Sequence, residues 1–356
     1  MRGLAKKTLK IGIVGTGGIG SGAHMPAYAK VEGVKMTAVC DVNEARAKEV
    51  AEKFCVPKVY SDYNEMFKSE ELDGVSVCTQ NRYHAPVTIA ALNAGINVLC
   101  EKPIAMNVDE ATAMVKAAKK NDKQLMIGMV NRYAAASQFI KQAVDEGLLG
   151  DIYHANVLAL RRRGIPGWGV FYIKAESGGG PIIDIGVHML DLTLHFMGFP
   201  KPVTVSGVTY AEIGVRKPDV PGWGGWDPKK YDVEDYAAAL VRFDNGASLV
   251  LRASWAANLG NEQMNSELYG TKGGARWNPC EVLGTKFMST TTLKPDSLPQ
   301  VDNFYEQTKA FCESVRTGKP NPSPGEQALV VQTILDGIYS SSEQKKELAV
   351  KVPTVK

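Results

Sequence analysis

The chain has 356 residues, enough for two domains with substantial cores, and its 41 Lys and Arg nearly balance 38 Asp and Glu. No basic tract dominates and no apolar run approaches the roughly 18 residues of a membrane span, so neither nucleic acid nor a membrane is an expected partner. Six cysteines are scattered without a Cys-x-x-Cys pair and the opening segment has no apolar leader. Both point to reduced thiols in a cytoplasmic protein, with no metal site.

Residues 9–15 read as an apolar strand that runs into Gly15-Thr16-Gly17-Gly18-Ile19-Gly20 and then a helix. In this Gly-x-Gly-x-x-Gly arrangement Gly15 permits the tight turn. Gly17 lets the backbone approach a pyrophosphate, and Gly20 lets the helix pack closely on the sheet. The helix N-terminus offers free N–H groups to phosphates. A second strand, 34–41, ends in Asp41, about 20 residues further on, where a carboxylate accepts from adenosine ribose hydroxyls. That carboxylate repels a 2′-phosphate and no Arg or Lys occupies 42–45, so the expected cofactor is NAD, with NADP less favoured.

Further strands are expected at 57–60, 73–79, 96–100 and 124–128, with Ala-, Lys- and Glu-rich helices between them, such as 43–54 and 107–120. Pro86 sits where a first helical turn tolerates it. Cys40, Cys78 and Cys100 close apolar strands, where a small thiol packs well, and Cys55, Cys280 and Cys312 are read as core residues too. Such alternation predicts a doubly wound parallel sheet, an α/β Rossmann domain over 1–128. Over 129–356 the pattern changes: a helix at 134–146, long strands at 151–162, 202–213, 234–243, 247–256 and 263–270, and helices at 182–197, 301–316 and 326–342. Asp244-Asn245-Gly246 reads as a hairpin turn. This second part is an α+β domain with a large, mostly antiparallel open sheet, whose free face suits a homodimer or homotetramer.

Chemistry concentrates in three stretches. Thr79-Gln80-Asn81-Arg82-Tyr83-His84 and Glu101-Lys102-Pro103 follow the fourth and fifth strands, at the carboxyl edge where open α/β sheets bind ligands. The third, Gly178 to His188, spaces Asp184 and His188 four apart, on one face of a helix. A lysine at a strand end is usually a solvated charge, and an Asp–His pair is more often a surface pair. Together they offer more: a histidine to take a hydroxyl proton, a lysine to stabilise an alkoxide, and a carboxylate to orient.

The glycine fingerprint, Thr79-x-Asn81-x-x-His84, Glu101-Lys102-Pro103 and Gly179-Gly180-x-x-x-Asp184-x-Gly186-x-His188-x-x-Asp191 occur in this order over nearly the whole chain. Together they resemble the Gfo/Idh/MocA oxidoreductases. The resemblance implies an NAD-dependent oxidation of a secondary hydroxyl on a sugar, sugar derivative or cyclitol, with the catalytic set on Lys102, Asp184 and His188. It places cofactor contacts on Gly15, Thr16, Gly17, Gly18, Ile19, Gly20, Asp41, Thr79, Asn81, His84, Glu101 and Lys102, with Asn131 and Arg132 near nicotinamide and substrate. Gln80 stands where the family often has proline. Two other readings use the same parts: a redox-neutral glycosidase or lyase that retains NAD, and a non-catalytic NAD sensor, which the intact catalytic set disfavours.

Substrate-facing candidates are Arg163 and Trp168, where a guanidinium and an indole suit a pyranose, beside Lys102, Arg132, Asp184 and His188. A Gly-rich segment with Trp223 and Trp226 is a second candidate lid. His154 and His195 lack chemical neighbours in sequence and read as structural.

Overall fold

Leu9–Val14 (β1) is buried at every position but Lys10, as a strand covered on both faces of a sheet must be. It lies at the centre of a parallel six-stranded sheet with Val34–Cys40 (β2), Lys58–Tyr60 (β3), Gly74–Val77 (β4), Asn97–Cys100 (β5) and Leu125–Ile127 (β6). The strand order is β3-β2-β1-β4-β5-β6. The chain's direction of travel reverses between β1 and β4, and the crevice at their carboxyl ends is where such sheets hold ligands. Helices between the strands start on short polar caps. Asn43 accepts from the Arg46 N–H and Asn107 from the Glu110 N–H, each cap contributing about 1 kcal/mol.

The computed structural model describes residues 8–217 and 224–355. It divides into two compact units that interleave in sequence: Met1–Val130 with Asp302–Ala328 and Thr354–Lys356, and Asn131–Val301 with Leu329–Pro353. Segment 302–328, placed by sequence order with the second domain, therefore belongs to the first unit. The helix Asn303–Thr317 sets its fully buried Phe311 against Gly74 and gives the Arg316 guanidinium to the carbonyls of Glu32 (2.6 Å) and Gly33 (2.7 Å).

The second unit is built on a nine-stranded sheet. Its members are Ile152–Leu160 (β7), Pro202–Tyr210 (β8), Tyr236–Phe243 (β9), Ser248–Ser254 (β10), Gln263–Gly270 (β11), Gly273–Arg276 (β12), Glu281–Lys286 (β13), Ser289–Leu293 (β14) and Leu348–Ala349 (β15). The order is β14-β13-β12-β11-β7-β10-β9-β8-β15, antiparallel except where β7 pairs with β10. The β9–β10 hairpin turns at Gly246, with φ +84°. One face is a row of small and apolar residues, among them Ala155, Val157, Leu249, Leu251 and Val241, all fully buried. The apolar helix Val187–Met197 lies over β7 and β11.

Cys40, Cys78, Cys100 and Cys312 are buried, but Cys55 is exposed and Cys280 half-buried, so not every cysteine is a core residue. Cys55 adopts a left-handed conformation (φ +53°) just past its helix, outside the packed face. Among the described residues no helix is long and apolar enough to cross a membrane.

Candidate active site

In the first unit, the fingerprint turn leaves β1 at Gly15 with φ +95°, a conformation only glycine adopts cheaply; a Cβ there would stand 2.5 Å from the Cys78 carbonyl oxygen. A Cβ on Gly20 would stand 2.1 Å from the Gly15 carbonyl oxygen, so the helix start is pressed onto the turn. Gly17 and Gly18 face open space instead, with no heavy atom within 4 Å of an added Cβ. Two glycines thus serve the fold, and two leave bare backbone for an anion. The helix begins as a π-helical turn, Gly20–His24, before continuing as Met25–Tyr28. Ile19 is exposed beside the turn.

Asp41, just past β2, binds the same turn. Its Oδ2 accepts from the Thr16 N–H and hydroxyl, both at 2.8 Å, and its Oδ1 accepts from the Asn43 N–H at 2.8 Å. Past β4, the Thr79 hydroxyl is buried with no hydrogen-bond partner among the described residues, and it can donate to or accept from a ligand group. Open backbone at Gly17, a fixed carboxylate at Asp41 and an unsatisfied hydroxyl at Thr79 are what a dinucleotide requires, so the residues present fit NAD. Asn81 lies in the short helical turn that follows.

His84, expected as a cofactor contact, has both ring nitrogens against backbone carbonyls. It is buried, its Nδ1 is 2.7 Å from the Pro103 carbonyl oxygen and its Nε2 3.2 Å from that of Thr79. Burial lowers its pKa, against the pull of those carbonyls, so the ring is neutral near pH 7. Glu101, also buried, accepts the Lys102 N–H at Oε2 (3.2 Å), while Lys102 itself is half-buried at the end of β5.

In the second unit, Asp184 lies in a π-helical turn, Ile182–Gly186, and His188 in the α-helix Val187–Met197 that continues it. The expected single helical face is therefore interrupted by a wider turn, of a kind that recurs at functional sites. The glycines before it are required by packing: a Cβ on Gly179 would stand 1.9 Å from the Tyr339 hydroxyl, and one on Gly180 2.1 Å from the Glu234 carbonyl oxygen. The buried Glu234 carboxylate accepts the N–H groups of Gly180 (3.0 Å) and Ile182 (3.1 Å) and the Tyr339 hydroxyl (2.9 Å). A carboxylate at a helix start complements the dipole and fixes where Asp184 begins.

Asp184 Oδ2 accepts the indole N–H of Trp255 at 3.0 Å, and the Arg161 guanidinium is 4.0 Å away. Sequence reasoning missed both. The neighbouring Arg163, expected to face substrate, gives its terminal N–H groups to the carbonyls of Arg162 and Ala257 and to Asn258 Oδ1 (2.9 Å). Both arginines lie just past β7, and the sequence offered no signal that singled out Arg161. Arg132, expected near nicotinamide and substrate, is likewise paired within the protein. It is 3 % exposed and forms a two-pronged pair with Asp191 (2.8 and 2.6 Å), the last residue of the Asp184–Asp191 motif. Its visible role is to hold the helix carrying His188. Asn131 sits beside it, 3.9 Å from the Met189 sulfur.

Trp168 is half-exposed, edge-on to Phe171. Trp226 donates its indole N–H to the Gly214 carbonyl (2.7 Å), and Trp223 lies outside the described residues. His154 meets the Ser248 hydroxyl at 2.8 Å, and His195 closes the helix Val187–Met197, half-buried.

Two family models match this chain: the oxidoreductase family with an NAD-binding Rossmann fold over residues 9–129, and the GFO/IDH/MocA C-terminal domain over residues 137–276. Among curated proteins, D-glucoside 3-dehydrogenase of Escherichia coli is 35% identical over 342 residues, 96% of this chain and 97% of that protein. Myo-inositol 2-dehydrogenase of Thermotoga maritima is 27% identical, covering 96% and 99%. Among solved structures, a levoglucosan dehydrogenase in complex with NADH and levoglucosan superposes with a TM-score of 0.84 at 22% identity, over 97% of this chain and all of that one, which shows a shared fold.

Proposed function

The chain belongs to the GFO/IDH/MocA oxidoreductase family, and from that premise we propose that it is an NAD-dependent dehydrogenase oxidising a secondary hydroxyl of a sugar, glycoside or cyclitol. The observation that carries the cofactor is the fingerprint turn, open at Gly17 and tied to Asp41 through Thr16. The substrate class is supported by relatives named for a glucoside, an inositol and levoglucosan.

Bound NAD supplies the hydride acceptor. The chain's own residues do the rest. The Gly15–Gly20 turn holds the pyrophosphate, Asp41 the adenosine ribose hydroxyls, and Thr79, Asn81 and Glu101 serve the nicotinamide half. His188 takes the proton of the substrate hydroxyl. Lys102 stabilises the charge that develops on that oxygen and relays its proton. Asp184, oriented by the Trp255 N–H, positions a second hydroxyl.

The test is a panel of pyranosides, free sugars and cyclitols with NAD and NADP, followed by NADH absorbance and product analysis. Stoichiometric NADH with a pyranoside or cyclitol is expected. Product formed without NADH establishes the redox-neutral alternative, and no turnover with any of them overturns both. In an active pairing, Lys102→Ala and His188→Ala each lower turnover by at least about 100-fold with NADH affinity nearly intact. Wild-type-like turnover in either variant removes that residue from the scheme.

We also assign the protein to the cytoplasm, from its thiol usage, and to a homodimer or homotetramer formed through the nine-stranded sheet. Register places Val208, Tyr210, Tyr236, Leu240 and Val250 on one face, and Val208 and Tyr210 are 44% and 50% exposed. Light scattering on the eluting protein reads the mass directly. Val250→Arg is expected to lower it, and a monomeric wild type overturns the assignment.

A further inference from the structure

We propose that His24 and His84 are the two ends of a clamp on the Glu101-Lys102-Pro103 turn, and that both are positioning residues for Lys102. The inference rests on the reading of Lys102 as the catalytic amine. His24 closes the π-helical turn that starts at the third fingerprint glycine and is fully buried. Its Nε2 lies 2.8 Å from Glu101 Oε1, and its Nδ1 lies 3.1 Å from the Ser76 hydroxyl, which is itself 2.8 Å from the Tyr28 hydroxyl. Glu101 is thereby held by one oxygen while the other accepts the Lys102 N–H. The carboxylate also leans on bare backbone: a Cβ on Gly128 would stand 2.7 Å from Glu101 Oε1. On the far side of Lys102, His84 meets the Pro103 carbonyl at 2.7 Å. The lysine is thus flanked on each side by a residue that a buried imidazole holds in place.

The two rings carry different charge. Burial opposes a charge on His24, but the Cys78 thiol and the Glu101 carboxylate outweigh it and raise the ring to about 10. His24 is then an imidazolium paired with a Glu101 carboxylate, while His84 stays neutral. The other titratable groups around them are Cys78, Cys100, Tyr28 and Lys102, and burial pushes Cys100 and Tyr28 up, leaving them neutral. Phe304 of the helix Asn303–Thr317 covers His24 with its ring 6.0 Å away. Without His24, burial favours the protonated form of this carboxylate.

The experiment has an arm that needs no substrate. Ring nitrogen chemical shifts of His24 in the resting wild-type protein are expected to report a doubly protonated imidazole at pH 8, and a neutral ring there overturns the proposal. In kinetics, His24→Leu is expected to lower kcat at least about tenfold per NADH-titrated site and to add an acid limb to its pH profile that the wild type lacks. His24→Gln, whose amide still donates to Glu101, recovers most of that loss. A purely structural role lowers the amount of folded protein but moves neither kcat per site nor the profile, and that outcome also overturns the proposal. Should His24→Leu fail to fold, the ring shifts and His24→Gln still decide. Absence of any turnover in the wild type fells the functional reading, whereas a turning-over wild type with a neutral His24 fells the clamp alone.

Discussion

Trp255 is fully buried and donates its indole N–H, the one polar hydrogen of its side chain, to Asp184 at 3.0 Å, across 71 residues of sequence. It follows β10 directly, so the strand's end sets the indole and the indole sets the carboxylate. A hydrogen bond to a charged acceptor contributes about 1.5–3 kcal/mol. Trp255→Phe keeps the aromatic body and removes the N–H. Its kcat/KM is expected to fall roughly 10–100-fold. The cavity left by the smaller ring costs about 1–2 kcal/mol of stability, read separately by chemical denaturation. An unchanged kcat/KM in a folded Trp255→Phe protein means that Asp184 needs no orientation from this side.

The fingerprint glycines separate fold from ligand in one pair of variants. Gly20→Ala drives a methyl into the Gly15 carbonyl, and backbone cannot yield as a side chain does. It is expected to cost at least about 2 kcal/mol of stability and to weaken NADH as a consequence. Gly17→Ala meets nothing in the protein. Its stability should stay within about 0.5 kcal/mol of wild type while NADH affinity falls tenfold or more, since the methyl occupies the approach path of the pyrophosphate. Thermal unfolding with and without NADH, alongside a fluorescence titration, checks both. Equal behaviour of the two variants contradicts the division of labour.

What the sequence made legible follows from how local each signal is. β1, β2 and β4 are apolar runs punctuated by glycine or a polar cap, so the Rossmann half could be read strand by strand. β12 opens on Gly273 and Gly274, and every residue of Ser289–Leu293 in β14 is exposed, so no apolar alternation announces those strands. Helix Asn303–Thr317 is readable as amphipathic, but that Phe311 meets Gly74 is a long-range pairing no periodicity encodes. The site shows the same limit. Asp184 and His188 stand in one motif, whereas Trp255 and Arg161 reach Asp184 only through the sheet. Arg132 has the composition of a ligand contact and the geometry of a buried pair with Asp191, and sequence alone does not tell those apart.

His195 makes stability depend on acid. Burial, then the nearby Arg132 and Lys141, push its pKa down to about 4, with Asp145 pulling the other way. The unfolded chain binds a proton near 6.5 that the native ring refuses until about 4. Its contribution is therefore complete above the unfolded value and is lost as pH falls through that window. At full burial a shift of this size corresponds to about 3 kcal/mol, and the ring's partial exposure reduces this to about 1–2 kcal/mol. His195→Gln removes the term, so between pH 7 and pH 4 the wild type should lose about 1–2 kcal/mol more than the variant in urea unfolding. Parallel losses in the two proteins contradict a depressed His195.

Asp41 has two tasks, and its hydrogen bonds show how they share one side chain. A carboxylate has about four acceptor sites. Three are taken by the Thr16 N–H, the Thr16 hydroxyl and the Asn43 N–H, leaving one face for a ribose. Asp41→Ala removes both the ribose acceptor and the brace on the turn, so NADH affinity is expected to fall at least about tenfold. Thr16→Val removes one donor to Asp41 and leaves the ribose acceptor in place, so its loss should be no more than about threefold. The charge matters separately: with the carboxylate gone, nothing at this strand end repels a 2′-phosphate. The ratio of NAD to NADP efficiency should therefore fall more steeply in Asp41→Ala than NADH affinity does, and should stay near the wild-type ratio in Thr16→Val. Matched ratios in the two variants would mean that Asp41 braces the turn without selecting the cofactor.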